Sequence, residues 1–438
     1  MPHKPNVLLI VADDHRADAL GRGGDPAVRT PTLDALAAAG VALRNARIMG
    51  GQSGAVCVPT RASLLTGVNP LRAVGPGGGI PPGLALLPAV FREAGYVTHG
   101  IGKWHNGQRS FASGFVGGAE IFFGGMSDHR RVPVHDFDAA GAYPDAARRV
   151  GGAFSTDLFT DAAVRFLRTY AGTAPFLLYL AFTAPHDPRT PPSEYAALYD
   201  PADVRLPPNF LPRHPFDNGE LEVRDERLAP LPRTADAVRR HLADYYGMIT
   251  HLDAGIGRVL DALRRSGRDG DTVVAYTADH GLAVGQHGLL GKQNLYECTL
   301  RVPLILAGPG LPAGCCVDAQ HHSCDLLPTL CDLADLPVPV TVETRSLLPL
   351  VAGEPGRSAT FALYKDVQSA VCDGRWKLIR YRRSAQTGRG TDRTQFFDLL
   401  LDPWESDDRS GDAAVQPHVA RLGGMLTEWE RRAGDAPW

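Results

Sequence analysis

Cysteine is scarce in this chain, with seven among 438 residues, and the spacing at 57, 298, 315, 316, 324, 331 and 372 forms neither a zinc knuckle nor a disulfide scaffold. That usage favours a reducing compartment. Long apolar runs are missing too: nowhere do about eighteen apolar residues follow one another, which excludes a membrane-spanning helix. Charge of one sign is not in excess, 45 Lys and Arg standing against 48 Asp and Glu, so there is no basic footprint for nucleic acid. Internal repeats and low-complexity tracts are absent. Met1-Pro2-His3-Lys4-Pro5 runs almost directly into an apolar segment, leaving no room for the charged and apolar regions of a signal peptide. A cytoplasmic location is therefore expected, or a periplasmic or secreted one if the chain is trimmed from a longer precursor.

What is present begins with two apolar runs that end in acid. Asn6 to Ala12 leads into Asp13-Asp14, and Asp271 to Thr277 leads into Ala278-Asp279-His280-Gly281. Apolar runs of that length read as strands buried on both faces. In open α/β sheets ligands bind at the carboxyl ends of such strands. One Asp after a strand often caps the next helix. A tandem pair plus a distant Asp at a second strand end points instead to a divalent cation with hard oxygen ligands.

Between those strands stands Cys57-Val58-Pro59-Thr60-Arg61, followed by Ala-Ser-Leu-Leu-Thr-Gly. If the segment becomes helical around Pro59, Arg61 returns over the face of Cys57. Gly95 to His105 ends in Gly-Lys-Trp-His, supplying Lys103 and His105. The apolar run Pro175 to Ala184 leads to Pro185-His186-Asp187-Pro188, and Gln286-His287-Gly288-Leu289-Leu290-Gly291-Lys292 follows His280. Taken singly, a Lys or His of this kind usually sits on a solvated surface or is satisfied in a core. Together these segments resemble the type I, formylglycine-dependent sulfatases of the alkaline phosphatase superfamily, matching ten positions in order over about two-thirds of the chain.

The resemblance implies a sulfuric ester hydrolase in which Cys57 is oxidised to formylglycine by a formylglycine-generating enzyme. It implies metal ligands at Asp13, Asp14, Cys57, Asp279 and His280. The family's metal is usually Ca2+, and Mg, Mn or Zn would also serve; His280 stands where many members carry Asn, and an imidazole suits Zn, Mn or Fe better than Ca. Catalytic groups would be Cys57, Arg61, Lys103, His105, His186 and Lys292. Lys103, Lys292 and His186 would hold sulfate oxygens and offset developing charge. Arg61 would orient the aldehyde hydrate, His105 would assist release of sulfate, and His186 or Lys292 would protonate the leaving oxygen.

With 44% hydrophobic residues a chain of this length can bury a large core, and two domains are expected. Alternating strands and helices predict an α/β fold over 1–353, a large mostly parallel sheet sandwiched by helices. Helices are expected over Thr32–Ala39, Leu84–Ala94, Thr156–Tyr170 and Ala235–Ser266. Short runs at 359–364, 367–372, 375–381 and 395–400, then a helix near 414–432, predict a smaller C-terminal domain of antiparallel sheet plus helix over 354–438. Segments 106–150 and 187–233 read as irregular, substrate-binding insertions, with His135, Asp136, Asp187, Arg189 and His214 as candidate contacts. The expected substrate is a small-molecule or saccharide sulfate ester, sulfated carbohydrate first, with no nucleic-acid or membrane partner and homo-oligomerisation left open. Two other readings remain: a phosphonate monoester hydrolase or phosphodiesterase with the same nucleophile, and an unmodified, inactive binder of sulfated ligands.

Overall fold

The structure is a computed structural model that describes residues 4–433. All seven residues of the strand Asn6–Ala12 are buried, as a strand covered on both faces requires. It lies inside an eight-stranded sheet ordered Cys315–Val317, Val41–Leu43, Leu304–Ala307, Thr272–Ala278, Asn6–Ala12, Phe176–Ala181, Val97–Lys103, Gly117–Phe122. The five adjacent strands from Thr272–Ala278 to Gly117–Phe122 run parallel, and Leu304–Ala307 is antiparallel to both its neighbours. Helices pack in two groups. Pro31–Ala39 and Ser155–Thr169 contact the long helix Ala235–Arg265, while Cys57–Thr66 contacts Leu87–Glu93 and Leu326–Leu333.

Local chemistry sets the ends of the long helix. The Thr234 side chain accepts a hydrogen bond from the Ala237 amide, and Arg264 and Arg265 complement the dipole in the last turn. No helix among the described residues is long and apolar enough to cross a membrane.

A second sheet is ordered Arg393–Asp398, Trp376–Tyr381, Gln368–Cys372, Thr360–Tyr364, Gly50–Gly51. Its first four strands form an antiparallel meander. Leu422, Leu426 and Trp429 of the helix Gln416–Ala433 pack against it. The outer strand, however, comes from far earlier in the chain. Gly50 and Gly51 pair in parallel with Leu363 and Tyr364, so the C-terminal sheet grips the segment that leads to Cys57.

Segment 106–150 is less irregular than its composition predicts. It contributes the helix Gln108–Gly114 and the edge strand Gly117–Phe122. Its Gly and Phe residues serve packing there: Phe111 and Phe115 lie edge-on to Trp104. In 187–233 only single helical turns occur, at Ser193–Ala196 and Asp225–Leu228.

Candidate active site

Sheet register assembles the acidic centre. Ala12 pairs with Ala278, so Asp13 and Asp279 leave the sheet side by side. The Asp14 amide donates to Asp279 Oδ1 at 3.2 Å. Asp14 has φ 69°, a left-handed conformation that a non-glycine residue holds only under constraint from its surroundings.

The helix Cys57–Thr66 begins at the cysteine itself, and Pro59 falls in its first turn, where no helical donor is needed. One turn on, Arg61 donates through Nε to Asp279 Oδ2 at 2.8 Å. Just before Lys103 the register with the edge strand shifts, Ile101 pairing with Ala119 and Gly102 with Ile121, so that Glu120 is left out of the ladder. Gly102 is obligatory there: its φ is +85°, and a Cβ would stand 1.9 Å from the Ala181 carbonyl oxygen. Lys103 Nζ is ion-paired with Asp13 and donates to the Gly125 carbonyl at 2.6 Å. His186 donates through Nδ1 to the Asp187 carbonyl at 2.8 Å, leaving Nε2 3.9 Å from Asp14 Oδ2. Lys292 Nζ donates to Asp14 Oδ1 at 2.8 Å and lies 3.5 Å from Cys57 Sγ. Around that sulfur are also Asp13 Oδ1 at 3.6 Å and His280 Nε2 at 3.1 Å. His105, also at positive φ (62°), reaches the thiol.

All ten positions singled out by the motifs therefore converge. Burial pushes the Cys57 thiol up, but Lys103, Lys292 and His280 outweigh it and hold its pKa well below the usual thiol value. Asp13 goes the other way, raised well above the usual carboxylate range by burial and by Asp279. Asp14 and Asp279 stay ionised despite burial, the first through His186 and Lys292, the second through His280 and Arg61. Against burial, Asp279 raises His280 to about 9.

The donors fit a divalent cation. Single ligand atoms of Asp13, Cys57, Asp279 and His280 lie within 4.8 Å of one another, and those of Asp13, Asp14 and His186 form a second such group. Asp13 is strained as an anion beside Asp279, which a cation between them would relieve. The site also holds two buried nitrogens, Arg61 Nη2 and His105 Nδ1, without a partner among the described residues. Hydroxyl groups on residue 57 would offer them one.

The insertion 187–233 does more than line a cleft. Glu226 accepts the amides of Leu290 and Gly291 at 3.0 and 2.9 Å, fixing the turn that presents Lys292. Asp187 and Arg224 form an ion pair behind His186. Tyr245 donates to the Asp14 carbonyl at 2.6 Å from the long helix. No sequence pattern marks Glu226, Arg224 or Tyr245, because each acts through a partner distant in the chain. Of the other candidates, His214 is buried against Tyr296 and Asp136 pairs with Arg149. His135 packs on Phe123 and Tyr143, and Arg189 lies over the Tyr245 ring.

A mostly parallel sheet with acids at its strand ends, beside a cysteine at a helix start, makes this an α/β protein with a candidate hydrolytic centre. The family model described as Sulfatase matches residues 5–336, and that described as N-sulphoglucosamine sulphohydrolase, C-terminal, matches residues 285–432. The chain belongs to the sulfatase family and is a sulfuric ester hydrolase. It is 29% identical to an ulvan-active sulfatase of Formosa agariphila, over 99% of this chain and 82% of that one. It is 30% identical to iduronate 2-sulfatase of Mus musculus, over 76% of this chain and 69% of that protein. Among solved structures, one in complex with its substrate D-glucosamine-2-N,6-O-disulfate superposes with a TM-score of 0.80 at 22% identity, covering 99% of both chains.

Proposed function

We propose that the chain hydrolyses sulfate monoesters of a sulfated saccharide, with formylglycine made from Cys57 as nucleophile and a divalent ion as cofactor. The observation that carries this reading is the position of Cys57 at the first turn of a helix, its sulfur within 3.6 Å of Asp13, His280 and Lys292. Asp13, Asp14, Asp279 and His280 would hold the ion with residue 57, and bound there it would act as a Lewis acid. Calcium is the family's usual metal, and His280 adds Mn or Zn as candidates. Maturation requires a formylglycine-generating enzyme. The saccharide class is supported by the names of the ulvan-active and iduronate 2-sulfatases.

The remaining roles fall to side chains already placed. Lys103 and Lys292, whose ammonium groups end at the centre beside Asp13 and Asp14, bind the non-bridging sulfate oxygens. Arg61 orients the hydrate of residue 57 through its unpartnered Nη2. In its protonated form His186 keeps Nδ1–H on the Asp187 carbonyl and passes the proton of Nε2, 3.9 Å from Asp14 Oδ2, to the leaving alcohol. His105, beside residue 57, takes a proton from it when sulfate is released.

Peptide mass tests the nucleophile. From a host able to make formylglycine, the tryptic peptide Ile48–Arg61 should be lighter than its cysteine form by about one water's mass. An active preparation in which that peptide carries only an alkylatable thiol would refute the assignment.

A further inference from the structure

Consecutive residues of a strand send their side chains to opposite faces of the sheet. Asp13 and Asp14 follow the strand Asn6–Ala12 directly, yet both carboxylates reach one centre. Asp13 Oδ1 lies 3.6 Å from Cys57 Sγ, while Asp14 Oδ1 stands 2.8 Å from Lys292 Nζ and 3.1 Å from His280 Nδ1. The left-handed backbone of Asp14, φ 69°, breaks the alternation and lets the second carboxylate turn inward. That conformation costs free energy in any residue with a Cβ, so surrounding contacts must hold it.

Besides the bond from the Asp14 amide to Asp279, two tyrosine hydroxyls grip the turn. Tyr245, on the long helix, donates to the Asp14 carbonyl at 2.6 Å and accepts the Arg16 amide at 3.0 Å, bridging the chain across His15. Tyr276, on the strand Thr272–Ala278, donates to His15 Nδ1, and His15 Nε2 donates to the Ala19 carbonyl at 2.8 Å. Asp14, His15, Tyr245 and Tyr276 are all buried. Deleting either hydroxyl therefore leaves a buried polar group unpaired, at a cost the turn can relieve only by moving.

We infer that Tyr245 and Tyr276 are positioning residues that fix the turn 14–16 so that Asp14 presents its carboxylate to the metal site. The inference rests on the proposed role of Asp14 as a metal ligand. Neither hydroxyl belongs to the groups that could hold an ion, and each acts through the backbone or through the His15 ring. Freed of Tyr245, Asp14 regains the extended backbone that its type prefers. Its carboxylate then turns away from Lys292 and His186, and the ligand group of Asp13, Asp14 and His186 opens.

Calorimetric titration of the chelator-treated protein with Ca2+ and with Mn2+ tests this. Tyr245→Phe keeps the ring and its contact with Arg189, and should raise the Kd about tenfold or more, the usual scale for groups that orient metal ligands. Tyr276→Phe should shift the Kd in the same direction. Tyr246→Phe is the control: it removes a buried hydroxyl from the next position on the same helix, one bonded to Asp25 Oδ2 at 2.9 Å, and should leave the Kd unaltered. Thermal melting of the metal-free proteins separates a general loss of stability from a loss of ion affinity. Unchanged affinity in folded Tyr245→Phe would overturn the inference, as would an equal loss in Tyr246→Phe. If Tyr245→Phe does not fold, Tyr276→Phe decides by the same criterion. An unaltered protein that takes up neither ion would overturn the proposed metal, and this inference with it.

Discussion

Arg224 grips Asp187, the residue that follows His186: Nη2 donates to Asp187 Oδ1 at 3.0 Å, and the same carboxylate oxygen lies 3.3 Å from His186 Nδ1. Arg224 also pairs with Asp225 at 2.5 Å, and Asp225 accepts from Gln293, next to Lys292, at 2.9 Å. One half-exposed arginine therefore ties together the two loops that carry His186 and Lys292.

If that tie orients His186, Arg224→Ala should lower kcat/KM for sulfate esters of poor leaving groups about tenfold, equivalent to ~1.4 kcal/mol of transition-state stabilisation. Activated aryl sulfates, which need less help from an acid, should lose less. Arg224→Lys should restore part of the difference. Equal losses on both substrate types would show that Arg224 contacts substrate or holds the loops without tuning proton transfer.

Stability should fall in mild acid because many histidines are buried neutral. Burial lowers His129, His214 and His321 to about 4, and His287 and His322 to about 3, from 6.5. Each folded pKa is depressed, so the unfolded chain binds more protons below pH 6.5. The stabilisation is whole above that pH and is lost as pH falls towards about 4. For one such group the loss is on the order of 3 kcal/mol across the window. His214 donates through Nδ1 to the Phe216 carbonyl at 2.7 Å, a bond that glutamine can imitate. Urea unfolding at pH 7 and pH 5 should show a smaller acid loss for His214→Gln than for the unaltered protein, and an identical loss would exclude His214 as a contributor.

A steric prediction concerns the strand that links the two sheets. Gly50 has φ +70°, and a Cβ there would lie 2.0 Å from the Leu363 carbonyl oxygen. Gly50→Ala should cost at least ~2 kcal/mol from backbone strain and displaced pairing. The melting temperature should drop by a few degrees, and turnover should fall because the strand leads directly to Cys57. A variant with unaltered melting and activity would mean that the C-terminal sheet does not restrain the nucleophile segment.

That strand shows what sequence alone leaves out. The apolar runs before Asp13 and Asp279 announce buried strands because their composition is continuous, and register then places the two acids side by side. Cys57 to Arg61 is legible because its residues act on one helical turn. Gly50-Gly51 carries no strand propensity, and only the tertiary partner Leu363-Tyr364 makes it one. Glu226, Arg224 and Tyr245 were hidden for the same reason, since each contributes through a contact made in space. The edge strand Gly117–Phe122 was obscured by its glycines, whose small size lets Phe111 and His99 approach.

Charge decides the choice between sulfate and phosphate. A sulfate ester is a monoanion at neutral pH, whereas a phosphate monoester, with a second pKa near 6, is mostly a dianion. The centre meets its substrate with Lys103 and Lys292, but both already face carboxylates, Asp13 and Asp14. Arg61 is likewise committed to Asp279. The one proposed divalent ion is then the main positive charge in surplus, and without a second metal to clamp it a second negative charge in so buried a site costs desolvation that is poorly repaid. Sulfate monoesters should therefore exceed matched phosphate monoesters in kcat/KM by at least about tenfold, read from paired aryl esters at one pH. Lys292→Ala should lower both rates and leave the gap as wide or wider, because the lost cation faces a dianion more strongly than a monoanion. A phosphate or phosphonate ester turned over faster than every sulfate ester tried would place the reaction at phosphorus instead.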